Sequence, residues 1–265
     1  MAKLVWDRIG VRTFDAGLDH GVLYLTDGSG VPWNGLISVK ETTPTETDEV
    51  AYFDGEKFVG EQFDGDFAAD MSAYTFPDEF LEFDGYISPE PGLFIDNQPS
   101  KTFSMCYRTY IGSDLLGTGL GYKLHILYNL TAVSQGVSRT TLAETTTPQT
   151  FQWNLSSCPE DAEGYRPTAH VILDSRYIDE DLLAAIEELL FGSEDADAHL
   201  PSLQELIDFA LGFNRVVITD HGDGTWTATG PNDRFSIVGD QFEIFDTNSL
   251  DVDADTFVVS SDPLD

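Results

Sequence analysis

Apolar and polar side chains alternate with a period of two through most of the first 175 residues, and that pattern confines the chain to β-strands with one buried face. Trp33, Ile37 and Val39 alternate with Asn34, Ser38 and Lys40. Phe103, Met105, Tyr107 and Ile111 are set against Thr102, Ser104, Cys106 and Arg108. Tyr122, Leu124, Ile126, Tyr128 and Leu130 oppose Lys123, His125, Leu127, Asn129 and Thr131. Phe151, Trp153 and Leu155 oppose Gln152, Asn154 and Ser156, and a shorter strand is expected over 169–173. Strands buried on both faces read as continuous apolar runs, so these half-polar ones imply an antiparallel sheet. Gly117-Thr118-Gly119-Leu120-Gly121 is expected to turn between two of them, and Pro77 to open a short helix over 78–83. Residues 41–66 lack sustained alternation and carry a hairpin signal at Asp54-Gly55. They read as a long loop or extended hairpin, a length uncommon in compact domains unless it has a function.

After residue 178 the period becomes helical. Leu182, Leu183, Ile186, Leu189 and Leu190 form one face of a helix near 179–191, with acids at its start and Gly192 at its end. Ser202 with Glu205 three residues later is a capping-box signature for a second helix near 202–211. Strands return at 216–219, 225–229, 235–238, 241–245 and 256–260. The expectation is therefore a mainly β (α+β) protein. An antiparallel β-sandwich or barrel with flanking helices occupies 1–212, and a C-terminal β-meander module occupies 213–265.

Composition removes several classes. The 47 acids against 13 Lys and Arg give a formal charge of −34, which excludes a protein that grips nucleic-acid phosphate with clustered bases. The 18 Phe, 10 Tyr and 4 Trp exclude an acidic disordered tail. Cys106 and Cys158 make neither a disulfide scaffold nor a zinc finger, and both are expected to be free and half-buried. Asp7 and Arg8 interrupt the first apolar run and no apolar stretch reaches about 18 residues, so no membrane association is expected and the chain is expected to be made in a cytoplasm. The charge is uneven: residues 1–40 contribute 0, 41–100 contribute −15, 101–160 contribute +1, and 161–265 contribute −20.

No catalytic motif is present. The histidines at 20, 125, 170, 199 and 221 have no metal-ligand spacing, and His125 and His170 are expected to be hydrogen-bonded on strands. Asp251, Asp253 and Asp255 open like a calcium loop, but Thr256 stands where such a loop needs glycine and Asp262 where it needs glutamate. Asp64, Asp66 and Asp70 are a weaker cluster still. The expectation is a protein that is not an enzyme, with no catalytic, cofactor-binding or metal residues.

An ordered set of motifs points further. It runs from Val5-Trp6-Asp7, Gly21-Val22-Leu23-Tyr24 and Trp33-Asn34-Gly35-Leu36 to Tyr74-Thr75-Phe76-Pro77-Asp78-Glu79-Phe80 and Asp84-Gly85. It continues through 103–112, Gly121-Tyr122-Lys123-Leu124-His125 with Tyr128, Phe151-Gln152-Trp153, Pro167-Thr168-Ala169-His170-Val171 and Leu189-Leu190-Phe191-Gly192. Over about 4–212 the chain resembles the major tail tube proteins of long-tailed bacteriophages of actinobacterial hosts. The resemblance implies a virion protein assembled in the host cytoplasm. It would self-assemble into stacked, six-membered rings, contact a tape-measure protein and a tail terminator, and let genome DNA pass through the lumen without specific binding. Half-polar strands suit such a wall, 41–66 suits an arm to a neighbouring ring, and acidity suits a conduit for a polyanion. On this reading Arg108 and Lys123 must be paired with carboxylates or turned into subunit interfaces, and acids of 41–100, Asp70 among them, contribute to the wall. The alternative is a β-sandwich binding or decoration protein of the phage tail that recognises host surface or carbohydrate, with Trp226 a candidate contact; an acid-rich hydrolase ranks last.

Overall fold

A strand with one apolar face needs a surface to bury it on, and this chain supplies one by coiling a single sheet around its own apolar side. The computed structural model describes residues 6, 8–42, 67–137, 139, 141 and 148–213 in full. Of the remainder it describes the strands at 51–53, 56–59, 216–220, 226–229, 235–238, 241–244 and 250–252. Two compact units divide the chain, Met1–Pro201 and Ser202–Asp265.

The first unit contains an antiparallel eight-stranded sheet. Its strands are β1 (Thr13–Tyr24), β2 (Gly30–Pro32), β3 (Leu36–Thr42), β6 (Ala68–Ala73), β9 (Phe103–Ser113), β10 (Gly117–Ser134), β11 (Phe151–Ser157) and β12 (His170–Asp174). The spatial order is β2-β1-β9-β10-β11-β6-β3, with β12 on β10. The two ends of this path approach one another: a Cβ at Gly21 would lie 3.0 Å from the Leu36 side chain, and the Trp33 amide donates to the Gly21 carbonyl at 2.8 Å. Two small hairpins, β4 (Ala51–Phe53) with β5 (Glu56–Val59) and β7 (Ile87–Glu90) with β8 (Leu93–Ile95), lie outside the main sheet. The mainly β expectation holds.

Aromatic packing fills the coil. Phe80, on a 3-10 turn over Asp78–Glu82, is fully buried. Its ring lies 4.6 Å from Trp33, 5.2 Å from Trp153 and 5.3 Å from Phe103, centroid to centroid. Both indoles keep a hydrogen bond: Trp33 donates to the Thr75 carbonyl at 3.0 Å and Trp153 to an Asp84 carboxylate oxygen at 2.8 Å. On the opposite face of β1, β9 and β10 lies α1 (Glu180–Phe191). Asp179 caps it through the amides of Asp181 and Leu182, it buries Leu182, Leu183, Ile186 and Leu190, and Tyr24 donates to the Leu190 carbonyl at 2.7 Å.

Bulges reset the alternation in three strands of the main sheet. In β1 the register slips at Gly17 (φ +71°) and again at His20 (φ +50°). In β3 two residues oppose one between Leu36 and Ser38, which turns Ile37 outward instead of sharing the face of Val39. In β10 the slip falls between Leu127 and Leu130, at Asn129 (φ +51°). Leu130 therefore joins Leu127 in the core, not Leu124, Ile126 and Tyr128 as strict alternation predicts. The glycines of 117–121 belong to β10 itself, and the turn is made by 114–116. Cys106 is buried and Cys158 exposed, instead of both half-buried, and both are free.

In the second unit α2 (Leu203–Gly212) starts at Ser202 with the full capping box to Glu205. The expected antiparallel hairpins hold for β13 (Val216–Asp220) with β14 (Trp226–Thr229) and for β15 (Phe235–Val238) with β16 (Gln241–Ile244). The strand β17 (Leu250–Val252) returns parallel to β13. The strand expected at 256–260 lies outside the described residues.

Two substitutions test this account by urea denaturation. Phe80→Ala is expected to cost about 3–5 kcal/mol, the loss typical of a buried phenylalanine. Asn129→Val is expected to cost about 1–2 kcal/mol, because a β-branched residue resists the left-handed conformation, whereas Asn129→Gly should be nearly neutral.

Candidate functional site

Opposite the core, β3, β6, β11 and the end of β10 present one polar wall. Register makes it: Val39, Met71, Trp153, Leu155 and Ala132 point inward, so their neighbours Ser38, Lys40, Asp70, Ser72, Gln152, Asn154, Ser156 and Thr131 point out. The side chains bind each other across the strands. The Ser38 and Ser72 hydroxyls are 2.7 Å apart, Thr131 and Ser156 hydroxyls are 3.0 Å apart, and Gln135 donates to Asn154. Lys40 and Asp70 are direct register partners, so the wall's two charges are opposed. Lys40, Asp70, Gln135 and Gln152 border a shallow groove of about 180 Å³.

The cations of the neighbouring strands are neutralised within the chain. Arg108 donates Nε and Nη2 to the two oxygens of Asp19, both at 2.8 Å, and its guanidinium lies 4.8 Å from the Tyr122 ring centroid. Tyr110 donates to the same carboxylate. Hydrogen bonds from Arg108 lead the causes that hold the Asp19 carboxyl well below the usual range, against a partial cost of burial. Lys123 reaches Asp15 at 2.7 Å, Lys101 reaches Glu82 at 2.7 Å, and Arg176 binds Asp174 at 2.6 Å. Arg108 and Lys123 are thus paired with carboxylates, one of the two arrangements expected of them.

Three strands bring a polar cluster into the coil. His125 of β10 and His170 of β12 sit diagonally across their pair, where Leu127 is opposite His170. His125 Nδ1 lies 3.1 Å from His170 Nε2 and 3.7 Å from Glu41 Oε1 of β3. His125 Nε2 lies 3.0 Å from the Thr109 hydroxyl, and Tyr107 donates to Glu41 at 3.1 Å while stacking on the His125 ring. Burial, reinforced by repulsion from His170, pushes the His125 imidazole down to about 4; burial also lowers His170. Both rings are therefore neutral at pH 7. Linear spacing assigns none of these residues to a ligand set, because 41, 125 and 170 meet only through strand register. His20 lies beside Asp19 and Arg108, His199 beside Gly28, and His221 outside the described residues. Of the weighed acids, Asp70 is on the polar wall; Asp64, Asp66, Asp253 and Asp255 lie outside the described residues, as does the side chain of Trp226.

The hairpin β7–β8 exposes every one of its residues, including Ile87, Leu93, Phe94 and Ile95. A two-stranded hairpin is marginal alone in water, and four half-exposed apolar side chains on one are a surface suited to burial against another chain. Alternation does not single out this segment, since its apolar residues are no more frequent than those of the core strands.

Comparison of the chain with protein-family models, curated proteins and solved structures returns no match.

The Asp19–Arg108 pair carries a pH signature. Because the native carboxyl titrates below its unfolded value near 3.9, its stabilisation is present at neutral pH and lost as pH falls below about 4. Asp19→Asn is expected to cost about 1–2 kcal/mol at pH 7, allowing for partial exposure. The gap between variant and native protein in urea midpoint should be constant above about pH 5 and close progressively below about pH 4.

Proposed function

We propose that the protein is the self-assembling tube subunit of a long bacteriophage tail, forming stacked rings through whose lumen DNA passes during ejection. The polar wall carries this reading. A conduit for duplex DNA must offer no continuous track of bases, since DNA presents about one charge per 1.7 Å and each captured phosphate adds to retention. The wall of β3, β6, β11 and β10 offers hydroxyls, amides and one opposed Lys40–Asp70 couple. Arg108 and Lys123 are neutralised nearby by Asp19 and Asp15. The acid surplus of the whole chain, −34, disfavours adhesion of DNA anywhere on the surface. The exposed apolar hairpin β7–β8 supplies a contact for a neighbouring subunit. Rings of six, a virion location, and contacts with a tape-measure protein and a tail terminator follow from the resemblance of the chain to tail tube proteins. The arm role of 41–66 rests on that resemblance too, and most of that segment lies outside the described residues.

Electron microscopy of the purified protein tests the proposal. Rings or tubes are expected for the native chain, and Phe94→Asp with Leu93→Asp should yield a folded monomer, checked by circular dichroism and light scattering. A native protein that stays monomeric at high concentration and binds a glycan array would replace the tube reading with the decoration reading. Normal tubes from the double variant would remove the hairpin from the interface.

A further inference from the structure

We propose that Glu41, His125 and His170 form a binding site for a divalent transition-metal ion of the zinc class. The three donors come from β3, β10 and β12, and one ligand atom from each lies within 4.8 Å of the others. A tetrahedral zinc ion with bonds near 2.0–2.1 Å holds its ligand atoms about 3.3 Å apart. Here the nitrogen–nitrogen distance is 3.1 Å and the nitrogen–oxygen distance 3.7 Å, on either side of that value. The third edge, between His170 and Glu41, is no longer than 4.8 Å, so side-chain adjustment at Glu41 is what would draw the three donors around an ion.

The surroundings suit the ion as well as the distances do. A ligating histidine usually donates its other ring N–H to an oxygen, which fixes the tautomer. His125 has that partner in the Thr109 hydroxyl at 3.0 Å. With the proton on Nε2, His125 Nδ1 keeps a lone pair, and His170 Nε2–H fills the space between the rings. An ion takes the place of that proton, which moves to His170 Nδ1, so each imidazole remains neutral and no proton is lost from the pair. Tyr107 in turn orients Glu41 by donating to its carboxylate. The ring of Phe67 packs edge-on at 5.0 Å from His170 and Tyr107 stacks on His125, so aromatic rings cover part of the imidazole side of the site. The Glu41 side chain is 47% exposed, leaving a path for the ion and for a water as fourth ligand. Imidazole nitrogens favour zinc, copper or nickel over calcium and magnesium, which take oxygen. The site also has a place in the fold: Glu41 is next to the end of β3 and Phe67 immediately precedes β6, so it spans both points where 43–66 joins the sheet.

Calorimetric titration of the full-length, chelator-treated protein with Zn²⁺ alone tests the site, whether or not rings form. One ion per chain is expected, insensitive to excess Ca²⁺, and Co²⁺ loading should give the intense visible absorption of a four-coordinate site. His170→Gln should weaken this binding on the order of 100-fold, and Glu41→Gln on the order of tenfold. Glu41 is half-exposed, so its variant is expected to keep the native circular dichroism and to serve if the histidine variant misfolds. Zinc affinity and stoichiometry unchanged in both variants would assign the binding to the surface carboxylates and overturn the proposal. Absence of a stoichiometric site in the native protein would overturn it equally and leave the cluster as a hydrogen-bonded network.

Discussion

Phe80 is the side chain around which the sheet closes. It is contributed by a short turn, not by a strand, and it contacts rings from three distant parts of the chain: Trp33, Phe103 and Trp153. Each tryptophan can reach it only because its indole N–H is satisfied locally, by Thr75 and by Asp84. Burial raises the Asp84 carboxyl above its ordinary range even with the Trp153 bond opposing the shift. That carboxyl therefore carries part of the cost of placing an indole in the core. Removing the ring would leave a void bordered by Trp33, Phe103 and Trp153, in the middle of the apolar cluster inside the coil.

The same sheet separates two electrostatic regimes. On the wall of β3, β6 and β11, hydroxyls and amides dominate and one lysine faces one aspartate. On β9 and the start of β10, full charges are matched at short range, with Arg108 held by both oxygens of Asp19. Bidentate pairing fixes the guanidinium more firmly than a single contact could. A chain with such an excess of acid can pair Arg108 and Lys123 with neighbouring carboxylates and still repel a polyanion at a distance. The proposed conduit and the proposed metal site use different parts of this arrangement, and neither requires the other.

Element identity was legible in the sequence wherever the signal is local. Asp179 and Ser202 cap the helices where their side chains predict, and the alternation in 151–156 matches β11 residue for residue. What alternation conceals is any inserted residue. Gly17, His20, Ile37 and Asn129 each shift the phase, so β1 is hard to read as a strand and Leu130 changes sides. The histidine cluster was illegible for a related reason. Its members lie on three strands, and the face each one occupies depends on register, which no spacing along the chain encodes. That Arg108 and Lys123 needed carboxylate partners could be argued from charge, whereas the identity of those partners, Asp19 and Asp15, rests on the pairing of β1 with β9 and of β9 with β10.

The length of β10 has a mechanical consequence. Its 18 residues span about 60 Å if extended. It is laced to β9 along one edge, and to β12 and then β11 along the other. Leu130 is the splice, paired with Phe103 on one side and Ser157 on the other. The strand is therefore a spar common to the helix-covered and the wet parts of the sheet. Shear applied to one part must load hydrogen bonds in the other, so the two cannot hinge independently. A displacement at the histidines would be carried along a single backbone to the polar wall.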